Sequence, residues 1–241
     1  MAYAPRAYAI FLTYLKYIVL FHLGKAGVIM TDIIETLRAL GAIKTNGHFL
    51  YSSGTHGDAF FNLRVLGKDE HEDLLRNLVY ELTSQLLNSV APISMSQCVF
   101  VGPESLGKAM AQIAHEEHLE RHNVNIPWLW FKANQTEQGK TYEWGDDCDS
   151  SIIAGKTVFW LDDLFNRFST FQRTRHMLEP AANRIIAGAI VDRGGNTARQ
   201  WGLHAIISLE SVSAQAHNPD SCPLCKSDTP LLDPKTDEVI G

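Results

Sequence analysis

The sequence is short of cysteine, with only Cys98, Cys148, Cys222 and Cys225 among 241 residues. They are too few and too unevenly spaced for a disulfide framework, which makes a reducing, cytoplasmic setting the simpler expectation. It also lacks any long basic run, and its formal net charge is −6. The broad positive footprint of a nucleic-acid binder is therefore missing, and no nucleic-acid partner is expected, although a local pocket for a small anion remains compatible with this charge. The single CxxC motif, Cys222-Pro223-Leu224-Cys225, supplies two thiolates where structural zinc takes four ligands. His217, His204 or Cys148 are candidates to complete such a set, but nothing in the sequence fixes them nearby. The pair is accordingly read as not binding metal.

What is present is enough apolar material for a core. Hydrophobic residues make up 45% of the chain, which fits one domain with an extension better than two full domains. The boundaries read as an apolar extension over 1–30, a main domain over 31–215, and a tail over 216–241 that carries CPLC. Residues 7–23 are apolar on every side of a helix, apart from Lys16 and His22. That stretch is short of the roughly 20 apolar residues of a membrane span, and no small-x-small cleavage site follows it. A start at Met30 is the preferred reading, because Thr31 or Asp32 can cap a helix with Glu35 at capping-box distance. A membrane-tethered form is the weaker alternative.

Hydrophobic spacing then predicts, in order, a helix over Thr31–Leu40, two short β runs at His48–Tyr51 and Ala59–Val65, and an amphipathic helix over Glu70–Leu87. A buried strand, Cys98–Val101, turns through Gly102-Pro103-Glu104-Ser105-Leu106-Gly107-Lys108 into a helix reaching about Glu120, and Pro127–Phe131 is a further strand. Lys132–Ser151 is polar without an apolar period and reads as a long loop or loose hairpin, of the kind used as a lid. The apolar run Thr157–Leu161 ends in Asp162 and Asp163, followed by a helix over Phe168–Leu178 and strands at Ile185–Val191 and Leu203–Leu209. This alternation is that of an α/β fold with a largely parallel sheet flanked by helices and a small N-terminal helix/strand hood. Paired acids at the carboxyl end of a buried strand can hold ribose hydroxyls or a divalent cation; the plainer alternative is that one Asp caps the next helix.

Several stretches taken together resemble the type I phosphoribosyltransferases, most closely the orotate branch. GHFLYSSGTHGDAFFN is similar to that branch's substrate segment, VGPESLGKAMAQIA to its pyrophosphate-side loop, and GKTVFWLDDLFNRFST to its phosphoribosyl-diphosphate (PRPP) signature; VDRGGNTARQWGL and CPLCKSDTPLL resemble the end of certain bacterial members. The resemblance implies Mg²⁺-dependent displacement of pyrophosphate from PRPP by a nitrogenous base in nucleotide metabolism. By it, Asp162 and Asp163 hold the ribose hydroxyls, with Asp163 a candidate Mg²⁺ ligand. Asn166, Arg167, Ser169 and Thr170 face the 5-phosphate, and Gly107 and Lys108 lie near the pyrophosphate. Phe60 and Phe61 stack near the base, Arg193 binds an acidic base such as orotate, and a lid carrying Lys132 and Lys140 closes over the site in a homodimer.

The pattern departs from the family at the phosphate loop, where Thr-Thr-Gly-Gly-Ser/Thr is replaced by Asn166, Arg167, Phe168, Ser169 and Thr170. Both glycines are gone, and Phe168 is a poor neighbour for a phosphate on steric grounds. Leu106 stands for the first glycine of the pyrophosphate-side turn, Ser52 for a cationic position, and Trp144 for a basic one. Two functional readings follow: an active transferase with altered phosphate contacts, or a catalytically inactive member kept as a ligand-binding or interaction module.

Overall fold

The computed structural model describes residues 32–51, 54–90, 92–137 and 139–240. The apolar stretch 7–23, the Met30 start and Ser52 lie outside the described residues. Ile34–Gly241 form one compact unit. Its centre is a six-stranded sheet in the order β5-β4-β3-β6-β7-β8, made of β3 (Cys98–Pro103), β4 (Trp128–Thr136), β5 (Gly139–Trp144), β6 (Thr157–Phe165), β7 (Arg184–Asp192) and β8 (Ala205–Ser211). Four neighbouring pairs are parallel, and only β4 with β5 is antiparallel.

Burial explains why the central strands read as continuous apolar runs. On one face Val99, Val101, Val158 and Trp160 pack with Phe165, Phe168, Phe171 and Leu178. On the other, Phe100 stacks on His118 of the helix Leu106–His122, with ring centroids 5.8 Å apart, and meets Phe159 at the same separation. The helix Glu72–Ser89 packs on the same side, burying Leu75, Leu78, Val79, Leu82 and Leu86. Between these helices Arg76 reaches Glu72, Glu116 and Glu117 at 3.0, 2.8 and 3.1 Å. Glu117 is almost wholly buried, and Arg121 supplies its second cation at 2.6 Å. A buried carboxylate is stable only with such partners.

The hood is a separate small sheet in which β1 (Ile43–Leu50) pairs with β2 (His56–Phe61), and β2 with β9 (Ala216–His217). β1 begins five residues earlier than the apolar pattern indicates. Its polar Lys44-Thr45-Asn46-Gly47 segment bulges where Asn46 takes φ 60, and the register shifts between Thr45 and Phe49. A bulge breaks the alternation that marks a strand in sequence. Beyond Phe61 the chain turns into a 3₁₀ segment, Leu63–Gly67, rather than continuing as strand to Val65.

Of the two expectations for Lys132–Ser151, a long loop or a loose hairpin, the structure shows the hairpin, and a regular one. β4 runs on to Thr136, and β5 returns with Phe131 opposite Trp144 and Thr136 opposite Gly139. Cross-strand polar pairs hold it, with Asn134 donating to Glu143 at 2.8 Å. Only Tyr142 and Trp144 of β5 pack on the core and its other residues are polar, too short an alternation to separate a hairpin from a loop by pattern. The helix after β6 is shorter than the pattern indicates, Ser169–Thr174 followed by a 3₁₀ turn over Arg175–Met177.

His118 tests the helix-to-sheet packing. Burial first, and the neighbouring His122 second, lower its imidazole from 6.5 to about 4, with Arg121 acting the same way and Glu117 opposing. The unfolded chain therefore takes up a proton that the folded chain refuses between those values. Stability is fully present above pH 6.5 and declines as pH falls toward 4. Replacing His118 by Gln is expected to flatten that decline by on the order of 1–2 kcal/mol after allowance for screening. Thermal unfolding of both proteins across this range checks it, and parallel curves would reject the assignment.

Candidate functional site

β6 lies between β3 and β7, so its carboxyl end opens where ligands bind in parallel α/β sheets. The strand does not stop at the acids: pairing with β7 continues through Leu164–Val191 and Phe165–Asp192. Asp162 and Asp163 are thus held in register by the sheet. A cleft of about 260 Å³ opens beside them, lined by Asp162, Asp163, Thr170, Glu104, Lys140 and Phe61 among others. The Asp162 carboxylate accepts the Asp163 backbone N–H at 3.0 Å. Burial, and then the adjacent Asp163 charge, push the Asp162 carboxyl well above the ordinary carboxylate range, opposed by Arg64.

Glu104 is fixed from two sides, its N–H donating to Phe131 O at 2.7 Å and its carboxylate accepting from Ala133 N at 2.8 Å. The helix that follows approaches the sheet closely at Gly107. A Cβ there would sit 2.6 Å from Pro103 Cδ and 2.8 Å from the Leu161 carbonyl. Gly107 therefore serves packing of the helix start against β3 and β6. Lys108 turns away to lie over the Trp130 ring, 3.5 Å from its centroid. The hairpin contributes Lys140 and Tyr142 to the cleft, whereas Lys132 pairs with Asp146 at 3.1 Å.

The loop after β6 is built around Phe168, which sits inside the protein. It is 3% exposed and packs against Phe165, Trp201 and Trp160, with centroids 4.3, 5.3 and 6.2 Å away. Its backbone takes φ 52, the left-handed conformation that glycine adopts without strain. Asn166, Arg167 and Ser169 are exposed on the loop and do not line the cleft, whereas Thr170 does. A second loop braces the first. Buried Asp192 accepts from Gly194 N, Asn196 N and Asn196 Nδ2 at 2.8, 3.0 and 2.8 Å, and Asn196 Nδ2 also donates to Asn166 O at 3.0 Å. Gly194 is required by that closeness, since its Cβ would lie 2.0 Å from Asn166 O.

Arg193 leaves this second loop toward the hood. Its guanidinium stands 5.3 Å from the ring centroids of both Tyr51 and Phe61, and its Nε is buried without a hydrogen-bond partner. Burial raises the Tyr51 phenol, and the Arg193 charge partly offsets this. Phe60 and Phe61 point to opposite sides of β2, as successive strand residues must. Only Phe61 joins Arg193 and the cleft; Phe60 is near Phe49 instead. Sequence reasoning did not single out Tyr51, Arg64, Tyr142 or Asp192. For Asp192 a signal existed, an acid placed two residues before a Gly-Gly turn.

Curated relatives are named orotate phosphoribosyltransferase. One from Chlorobium phaeobacteroides is 25% identical over 202 residues, spanning 83% of this chain and 92% of its own length. Another, from Desulforamulus reducens, is 24% identical over 210 residues, spanning 86% and 97%. The solved orotate phosphoribosyltransferase of Aeropyrum pernix superposes with a TM-score of 0.52 at 18% identity, covering 73% of this chain and 92% of that one. That of Francisella tularensis gives 0.52 at 15% identity, covering 75% and 82%. This chain has the type I phosphoribosyltransferase fold and resembles the orotate branch. No protein-family model matches it. Among the described residues, no helix is long and apolar enough to cross a membrane.

The loop after β6 thus places an aromatic residue in the left-handed conformation. Phe168→Ala is expected to cost about 3–5 kcal/mol, as a large buried side chain is lost. Phe168→Gly is expected to cost roughly 1 kcal/mol less than that, although it removes one carbon more, because glycine suits φ 52. Urea denaturation of the two variants gives the order, and a glycine variant no more stable than the alanine one would contradict it.

Proposed function

We propose that this protein transfers the phosphoribosyl group of PRPP to a nitrogenous base of the orotate type. The observation that carries the reading is the convergence on one cleft of Asp162, Asp163, Thr170 and Lys140, with Phe61 and Arg193 at its hood end. The relatives' printed name supports the same reaction.

The chemistry follows from what each group can do. Asp162 and Asp163 accept hydrogen bonds from the ribose hydroxyls and keep negative charge beside a ring that becomes cationic as pyrophosphate leaves. The neighbouring carboxylates, with diphosphate oxygens, make the oxygen-rich donor set that Mg²⁺ prefers, with Asp163 as the protein ligand. When bound, the cation neutralises charge on the departing pyrophosphate. Lys140 and Arg64 bring positive charge to the same cleft, and the β4–β5 hairpin covers it against water, from this subunit or from the partner of a homodimer. Of the loop residues, Thr170 lines the cleft and offers its hydroxyl to the 5-phosphate, whereas Asn166, Arg167 and Ser169 lie outside the lining. At the other end, Arg193, whose Nε has no hydrogen-bond partner, matches the carboxylate of an orotate-type base, since its planar fork suits bidentate pairing. The Phe61 ring offers the base a stacking surface.

The reading as a binding module without catalysis rests on the missing glycines. Inward packing of Phe168 weakens it, because the ring does not fill the cleft.

Calorimetric titration of the full chain with PRPP, with and without Mg²⁺, is the first test, followed by loss of orotate absorbance during turnover. Saturable Mg²⁺-dependent binding and orotate consumption are expected; absence of PRPP binding would overturn the proposal. Asp163→Asn is expected to lower kcat by about 10²-fold or more. Arg193→Gln is expected to raise KM for orotate on the order of 10–100-fold, the worth of a charge-assisted hydrogen bond, with a smaller change in kcat.

A further inference from the structure

The hood and the tail meet at a cluster that the transfer reaction does not use. His48 on β1, His56 at the start of β2, and Cys222 and Cys225 in the tail bring one ligand atom each to within 4.8 Å of one another. His48 Nε2 and His56 Nδ1 are 3.1 Å apart. Cys225 Sγ lies 3.1 Å from His56 Nδ1 and 3.6 Å from His48 Nε2, and Cys222 Sγ lies 3.5 Å from His48 Nε2. A tetrahedral zinc ion with ordinary bond lengths separates two ligand nitrogens by about 3.4 Å and a nitrogen from a sulfur by about 3.6 Å. Both contacts of His48 Nε2 with sulfur match that separation, and the two contacts of His56 Nδ1 are about 0.3–0.5 Å shorter, a shift that small side-chain rotations supply.

Three further observations point the same way. The His48 ring donates from Nδ1 to the Thr229 carbonyl at 2.7 Å, which leaves the lone pair of Nε2 facing the other three ligands, the usual outer support of a zinc-binding histidine. His48, His56 and Cys222 are buried and Cys225 is partly so, and two thiolates with two neutral imidazoles exactly cancel the charge of a divalent ion. Neither cysteine is in a disulfide. Thiolate with imidazole in tetrahedral array selects zinc over the oxygen-seeking cations.

We infer that His48, His56, Cys222 and Cys225 form a structural zinc site that fastens the C-terminal tail to the N-terminal hood. This reverses the expectation from sequence that the CxxC pair binds no metal. The partners weighed there, His217, His204 and Cys148, are not in the cluster. The ion closes a connection across 174 residues between His48 and Cys222. Its neighbours are sparse: the two-residue pairing of β9 with β2, the Leu232 bridge to Phe49, with Leu232 N donating to His48 O at 2.7 Å, and the Lys44–Asp237 ion pair at 2.7 Å. Zinc binding displaces the two thiol protons and involves no redox change. The proposal stands independently of the transferase reading.

The test is elemental analysis of the full chain purified under reducing conditions without chelator or affinity metal. About one zinc per chain is expected. Replacement by Co²⁺ is expected to give a tetrahedral spectrum with thiolate-to-metal charge-transfer bands. Cys222→Ser with Cys225→Ser abolishes both, His48→Ala abolishes tight zinc retention, and His217→Ala leaves zinc content unchanged. Removing the metal from the wild-type protein with a chelator is expected to lower its unfolding midpoint on the order of 5–10 °C, restored by zinc alone. Little zinc in the wild-type protein and none taken up on addition would overturn the proposal, even if every variant failed to fold. So would full zinc retention in the double cysteine variant, or a Cys222–Cys225 disulfide in the native protein.

Discussion

Two adjacent carboxylates at the end of a buried strand are the constraint to which the surrounding structure answers. Strand β6 is paired on both sides, by β3 and by β7, so its backbone needs no solvent and its side chains must suit a dry interior until the cleft opens. Asp162 sits at that transition, with its carboxyl pushed upward by burial and by Asp163. Such a pair is tolerable where cations and hydroxyl donors reach it. Arg64 from the hood side, Lys140 from the hairpin and Thr170 from the following loop all arrive at this point. None of these comes from β6 itself, so the pair is stabilised only when hood, hairpin and sheet are assembled together.

The loop beyond the acids shows how a glycine-rich turn can be rebuilt. Glycine is ordinarily used there for its left-handed backbone and lack of Cβ. Here Phe168 accepts the left-handed backbone, and its ring gains burial against Phe165, Phe171, Trp160 and Trp201. Burial of an aromatic ring is worth several times the roughly 1–2 kcal/mol conformational cost. Asp192 and Asn196 then hold the loop from the other side through Asn166. The left-handed turn is held by packing and by a side-chain network instead of by glycine, while Arg167 and Ser169 are left exposed.

Much of this was legible in the sequence. The parallel sheet followed from apolar runs alternating with helical periods, and the acids stood out because they interrupt such a run. The β4–β5 segment stayed open between loop and hairpin because Tyr142 and Trp144 are too short an apolar alternation to decide, and the first half of β1 was hidden because a bulge at Asn46 breaks the period. Tyr51 and Arg64 carried no local signal, as their relevance comes from facing Arg193 and Asp162 across the fold. The neighbours of the CxxC pair were hidden for the same reason. Its partners, His48 and His56, are more than 160 residues earlier in the chain, and the histidine nearest in sequence, His217, is not one of them. Spacing rules identify a metal site when all its candidate ligands are local; in this cluster only half are.

The placement of that cluster joins the two halves of the molecule. The sheet supplies the groups suited to a sugar and its phosphates, while the hood supplies Tyr51 and Phe61, between which Arg193 is held. β2 carries Phe61 at one end and His56 at the other, so whatever anchors His56 also sets the strand that presents Phe61. The hood's own sheet is three strands, one of them two residues long, and a sheet of that size has little independent stability. Its firmness must come from elsewhere, and the tail, drawn back across it from Ala216 to Leu232, is the element that reaches it. The position of Phe61 and Arg193 thus depends on how the tail holds the hood, just as the acids of β6 depend on Arg64, Lys140 and Thr170 reaching them from outside the strand.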